Sequence, residues 1–246
     1  MKFYKRGRSI LASKKKSVVE KYKEPERFDT NFFYGMRLDE NQAHFANSIW
    51  EDDNDIVFCN AKAGTGKTTI ATGVAELLVQ HGKYNEIVYI VSPYGERKQG
   101  YLPGDMSQKS SVYFTPFFEA LITCNVMPHA AVKDYDGIDS SKNGSAHITC
   151  MTDTFMRGVN LDDAVVIIDE AQNFTVSQLK TVLTRVKDNT KVIVIGHTLQ
   201  CDLANKSLSG FDKYIKHFEG QERARICELT TNYRGWVSQH ADNLEE

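Results

Sequence analysis

The chain has 246 residues, 41% hydrophobic and 25% charged, with a formal net charge of −2. These values are ordinary for a globular protein of one large domain or two small ones. No run of about 18 apolar residues occurs, so no transmembrane helix is expected, and the basic N-terminus lacks the apolar segment of a secretory signal.

The charge is unevenly spread. Residues 1–27 hold ten Lys/Arg against three Asp/Glu, a net of +7, which leaves −9 on the remainder. Residues 1–30 are expected to form a basic, mobile arm and residues 31–246 a single domain. Such an arm points to nucleic-acid contact; the alternative is a solvated tail. The five cysteines form no C-x-x-C pair. Cys59, Cys124, Cys150, Cys201 and Cys227 read as reduced packing residues of a cytoplasmic protein.

After the aromatic stretch Phe32-Phe33-Tyr34 comes Leu38-Asp39-Glu40-Asn41-Gln42, then Phe45, Ile49 and Trp50 at helical spacing. Asp39 and Gln42 suit an N-cap and its N3 partner. A side-chain amide such as that of Gln42 can alternatively bond adenine in bidentate fashion.

The apolar run Ile56–Cys59 predicts a buried strand. It leads into Asn60-Ala61-Lys62-Ala63-Gly64-Thr65-Gly66-Lys67-Thr68-Thr69, and a helical pattern follows with Ile70, Val74, Leu77 and Leu78 on one face. Strand, glycine-rich turn and helix are the context of a phosphate-binding loop. Successive N–H groups of such a turn point inward, and the helix N-terminus adds partial positive charge. Lys62 to Thr69 would line a triphosphate, with Lys67 reaching its β- and γ-phosphates and Thr68 holding Mg²⁺. The first glycine of the G-x-x-x-x-G-K-[ST] pattern is replaced by Ala61, which needs negative φ there or accepts strain.

Glu86–Ser92 reads as a buried strand. Residues 94–111 read as a long loop, whose Tyr94, Arg97, Lys98, Tyr101 and Lys109 combine cations with stacking surfaces suited to a polynucleotide; the equal alternative is a solvated loop or subunit contact. A helix is expected over Phe114–Cys124, an exposed loop over 134–145 and a short strand over Ala146–Cys150. The apolar strand Ala164–Ile168 closes in Asp169-Glu170-Ala171-Gln172-Asn173. Carboxylates at the C-terminal end of such a strand face the crevice that the phosphate loop would occupy. Asp169 would hold Mg²⁺ and Glu170 the attacking water.

Thr175–Val186 predicts a helix with a Thr175/Gln178 capping box and Arg185 near its end. The strand Lys191–Ile195 then leads to Gly196-His197-Thr198-Leu199-Gln200, where Gln200 could sense the γ-phosphate. A helix over Phe211–Phe218, a strand over Ala224–Leu229 and a short helix after Asn232-Tyr233-Arg234 complete the chain. Apolar strands alternating with helices predict an α/β protein, a parallel sheet with helices on both faces.

Taken together, Asn41-Gln42, Ala63–Thr68, Leu102-Pro103-Gly104-Asp105, Met156-Arg157-Gly158, Asp169–Asn173, Leu183-Thr184-Arg185 and Ser209-Gly210 resemble the PhoH-like family of P-loop ATPases, over about residues 36–238. The family is similar to the first RecA-like domain of superfamily 1 helicases. The resemblance implies a P-loop NTPase (RecA-like) fold, binding and Mg²⁺-dependent hydrolysis of ATP, a ring-shaped homo-oligomer such as a hexamer, and RNA or another single-stranded nucleic acid as partner, in the cytoplasm and, for phage-type versions, that of the host. His197 stands where the family has Asp. An arginine completing the site is expected from a neighbouring subunit, Arg234 being the first candidate and Arg185 the second. Two rival readings are a small-molecule kinase and a nucleotide-gated binding ring with little turnover.

Overall fold

The computed structural model describes residues 29, 32–93, 106–135, 138–139, 146–156 and 158–241, and for 106–111 and 138–139 the backbone only. The basic arm, residues 94–105 of the loop and Arg157 lie outside the described residues.

Asp39 opens the first helix, α1 (Glu40–Trp50). Its carboxylate accepts from Gln42 N at 2.8 Å while Gln42 Oε1 accepts from Asp39 N at 3.0 Å, so the expected capping box is formed. The chain then runs through β1 (Ile56–Ala61), α2 (Lys67–Gln80), β2 (Glu86–Val91), α3 (Met106–Thr123) and α4 (Pro128–Ala131). A two-residue antiparallel pair, β3 (Asp134–Tyr135) with β4 (Ile138–Asp139), precedes β5 (Ile148–Thr152) and β6 (Ala164–Asp169). The remaining elements are α5 (Val176–Leu183), β7 (Lys191–Gly196), α6 (Phe211–Phe218), β8 (Ala224–Leu229) and α7 (Trp236–Ala241).

Six strands form one sheet in the order β5-β2-β6-β7-β1-β8, each pair of neighbours parallel. The four inner strands, β2, β6, β7 and β1, are buried almost throughout, which is why they are largely apolar runs, while the edge strands β5 and β8 are only partly buried. Alternate residues supply two cores. Val57, Cys59, Ile87, Tyr89, Ile167 and Ile193 pack with Phe45, Val74, Leu78 and Phe117 of α1, α2 and α3. Phe58, Val88, Ile90, Ile168 and Val194 pack with Leu179, Val182 and Phe211 of α5 and α6. The architecture is that of a P-loop NTPase of the RecA-like kind. The strand that feeds the glycine-rich turn, β1, is separated from the carboxylate-bearing β6 by one strand, β7. That spacing leaves a crevice between the two ends.

Several boundaries differ from the sequence reading: β1 runs on to Ala61, and the β3–β4 pair lies within the stretch 134–145 expected as a loop. α3 begins at Met106, not near Phe114, and runs through Pro116. β5 is displaced two residues toward Thr152. α5 stops at Leu183, with its capping box in place, and Arg185 belongs to the turn that follows.

Candidate functional site

Ala61 is the last residue of β1, 1% exposed and absent from the positive-φ positions of the described backbone. The missing first glycine therefore costs nothing: the position takes ordinary strand geometry. The turn is made instead by Gly64 at φ +75° and Gly66 at φ +82°. Gly66 leads directly into α2, so Lys67, Thr68 and Thr69 form the first turn of that helix. Among the described residues no side chain caps this N-terminus, which suits an anion-binding end.

The turn is braced from behind. Thr65, 1% exposed, donates its hydroxyl to Lys62 O at 3.0 Å. Gln42 Nε2 donates to Thr65 O at 2.9 Å. The Gln42 amide is thus engaged at both ends, by the α1 cap and by the loop, and the residue is buried at 7% exposure. Here Gln42 supports the turn, using one of its two N–H donors and one of the two lone pairs of its carbonyl oxygen.

Asp169 ends β6, on the face that carries Val165 and Ile167 and looks toward α2. It is 1% exposed. Its Oδ2 accepts from the Thr68 hydroxyl at 2.9 Å and from the Tyr89 hydroxyl at 3.0 Å, and its Oδ1 accepts from Glu170 N at 2.7 Å. Burial, and then the adjacent Glu170 charge, push the Asp169 carboxyl above the usual range; Lys67 and the bonds from Glu170 N and Thr68 pull the other way. A buried carboxylate beside a hydroxyl whose hydrogen it already accepts is an oxygen donor set suited to a hard divalent cation. Thr68 and Asp169 therefore fit Mg²⁺.

Glu170 adopts φ 51°, ψ 41°, a left-handed conformation unusual for this residue type. The Gln172 amide donates to its carboxylate. Lys67 Nζ lies 3.8 Å from Glu170 Oε1. Gln172 also reaches the turn after β7, where its Oε1 accepts from His197 N at 3.0 Å. At the position where Asp was expected, His197 thus takes part through its backbone. A cleft of about 340 Å³ opens beside Glu170, bounded by Gln172, Leu199, Gln200, Cys201, Asp202 and Lys206. Gln200 and Glu170 therefore share one opening.

The arginine candidates are placed differently. Arg185 follows α5 near the start of β7, and its guanidinium donates to Val159 O at 3.3 Å. That is the amino end of the sheet, opposite the crevice. Arg234 instead lies on the phosphate loop of its own chain. Tyr233 N donates to Gly64 O at 2.9 Å. A Cβ added at Gly64 would stand 2.4 Å from Asn232 Oδ1 and 2.9 Å from Arg234 Cγ. β8 pairs with β1, so the segment leaving β8 passes over the turn leaving β1, and the exposed Arg234 starts from beside its own chain's phosphate loop. Asn232 shapes that segment, its Oδ1 accepting from Arg234 N at 2.8 Å.

Two of these contributors had escaped sequence reading. Tyr89 sits inside an apolar run, and its one signal is a hydroxyl where Phe would pack equally well. Asn232 was visible only as a polar residue before Tyr-Arg.

The family model described as PhoH-like protein matches residues 37–237. The chain belongs to the PhoH-like family. The protein PhoH of Escherichia coli (strain K12) is 31% identical over 199 residues, covering 79% of this chain and 52% of that protein. A PhoH-like protein of Mycobacterium tuberculosis (strain ATCC 25618 / H37Rv) is 34% identical over 197 residues, covering 78% of this chain and 51% of that protein. The chain spans about half the length of these PhoH-like relatives. Among solved structures, the large terminase from a thermophilic bacteriophage is similar with a TM-score of 0.54 at 12% identity, covering 86% of this chain and 51% of that one. At that identity the likeness is one of fold.

Proposed function

We propose that this PhoH-like chain binds ATP with Mg²⁺ and hydrolyses it, coupling turnover to RNA or another single-stranded nucleic acid. The observation that carries the reading is the hydrogen bond from Thr68 to Asp169, which joins the phosphate turn to the carboxylate strand across a sequence separation of 101 residues.

In this reading the N–H groups from Lys62 to Thr69 receive the phosphates. Thr68 keeps its hydrogen on Asp169 and offers its oxygen to the cation. Thr68 and Asp169 would hold Mg²⁺, which would supply charge neutralisation for the triphosphate. Lys67 is held near Glu170; with nucleotide bound, the Lys67 ammonium would serve the γ-phosphate and the Glu170 carboxylate would orient and deprotonate water. Gln200, on the same opening as Glu170, senses the γ-phosphate or that water. Arg234, lying over Gly64, supplies positive charge from within the chain. Arg185 faces another subunit if the chain closes into a ring, for which a hexamer is the proposed form. The basic arm supports a polynucleotide partner. Among the described residues no helix is long and apolar enough to cross a membrane, and we place the activity in the cytoplasm.

Phosphate release with ATP and GTP, with and without single-stranded RNA or DNA, tests the reading alongside light scattering. Glu170→Gln should bind ATP and lose turnover. Wild-type turnover as slow as that of Glu170→Gln would favour the nucleotide-gated ring, and turnover only with an added acceptor would favour a kinase.

A further inference from the structure

Tyr89 is the largest fully buried side chain of the described residues. It lies mid-way along β2, between β5 and β6. Its ring stacks on Phe117 of α3, with centroids 4.1 Å apart and an interplanar angle of 12°, and meets Phe114 edge-on at 6.2 Å. Phe would satisfy all of that packing. The hydroxyl is the anomaly, because a buried polar group without a partner costs free energy. Its partner is the Asp169 carboxylate.

The register explains how the two meet. Val91 stands opposite Asp169 and Tyr89 opposite Ile167. Tyr89, Val91 and Asp169 point to the same face, and Tyr89 is diagonal to Asp169, within reach of a long side chain. Its Oη bonds the same oxygen, Oδ2, that accepts from Thr68. The other oxygen is held by Glu170 N. With both oxygens tied, the carboxylate plane is set before any cation arrives, and the Thr68 hydroxyl is held against it.

We infer that Tyr89 is a positioning residue for the divalent cation: a hydroxyl planted in the apolar core from β2 that orients Asp169, backed by the Phe117 ring. The inference rests on the proposed Mg²⁺–nucleotide reading. Partners of this kind set the orientation of metal-binding carboxylates, and their loss lowers metal affinity by about tenfold or more.

The test is Tyr89→Phe in the full chain, which keeps the ring stack and removes one oxygen. Mn²⁺ affinity is measured by electron paramagnetic resonance with a non-hydrolysable ATP analogue bound, and analogue affinity separately in EDTA. We expect Mn²⁺ to bind about tenfold more weakly, with analogue affinity in EDTA unchanged. Mn²⁺ affinity within twofold of wild type overturns the inference. Phe117→Leu is the packing control: a Mn²⁺ loss equal to that of Tyr89→Phe would assign the effect to packing and overturn it also. Should Tyr89→Phe not fold, wild-type protein carrying ¹³C at tyrosine Cζ answers the question, since the Tyr89 resonance must move when Mg²⁺ joins the bound analogue; a stationary one overturns the inference. If wild type binds the analogue with no help from Mn²⁺, the underlying reading fails instead, and the two failures are distinct.

Discussion

The backbone N–H of Tyr233 donates to the carbonyl of Gly64 at 2.9 Å, stitching the segment after β8 to the phosphate turn after β1. The backbone at Arg234 is thereby held beside its own chain's loop, and the proposal is that its charge serves that loop. Arg234→Ala should lower kcat on the order of 10³-fold. Mixing Lys67→Ala with Arg234→Ala subunits should restore nothing, because each chain then lacks one part of its own site. Recovery of ATPase in the mixture would return Arg234 to the neighbour.

The same contact makes Gly64 doubly constrained, by φ +75° and by Asn232 and Arg234 above it. Gly64→Ala is expected to weaken nucleotide binding and to cost about 1–2 kcal/mol from the left-handed backbone alone. Ala61→Gly, which restores the usual loop pattern, should do the opposite of a repair. It loosens a buried strand end by about 0.5–1 kcal/mol and should not raise turnover. Urea unfolding and nucleotide titration of the two variants check both statements.

Gln42 separates three roles by two substitutions. Gln42→Ala removes the cap partner and the bond to Thr65, and should cost about 1–2 kcal/mol of stability. Gln42→Glu keeps the oxygen that accepts from Asp39 N and loses the donor to Thr65 O. It sets a buried carboxylate against that carbonyl oxygen, so it should cost about 1–3 kcal/mol of stability even with the cap intact and bind nucleotide more weakly. ATP and GTP should weaken alike; a loss confined to ATP would restore the adenine-reading role.

Lys191 gives a pH signature away from the crevice. Its side chain is 1% exposed and donates to Glu51 O at 2.6 Å and to Asn54 O. Burial pushes its pKa down to about 8 from 10.5. Between those values the unfolded chain holds a proton that the folded chain has released, so this group's contribution to stability rises with pH across about 8 to 10.5. Urea midpoints at pH 7.5 and pH 10 should show wild type gaining relative to Lys191→Met as pH increases. A difference independent of pH would contradict the shift.

Much of this was legible before any coordinates. Strands buried on both faces announce themselves as apolar runs, and the two capping boxes, Asp39/Gln42 and Thr175/Gln178, form as expected. The start of α3 was not legible. Ser107, Gln108, Lys109, Ser110 and Ser111 carry no apolar periodicity, and Pro116 suggested a break. Nor could residue order alone say that β8 lies against β1; without that pairing, Arg234 had no reason to belong to Gly64. Tyr89 was hidden by its setting, since an aromatic residue in an apolar strand reads as packing until its hydroxyl is seen to touch a carboxylate.

Glu170 keeps a left-handed backbone that its side chain disfavours, at a strain of about 1–2 kcal/mol. An asparagine tolerates that conformation better. Glu170→Asn should therefore melt at a higher temperature than the natural chain while turning over no nucleotide. Thermal endurance and turnover thus pull against each other at this one position, and a screen for heat resistance alone would be expected to discard the acid first.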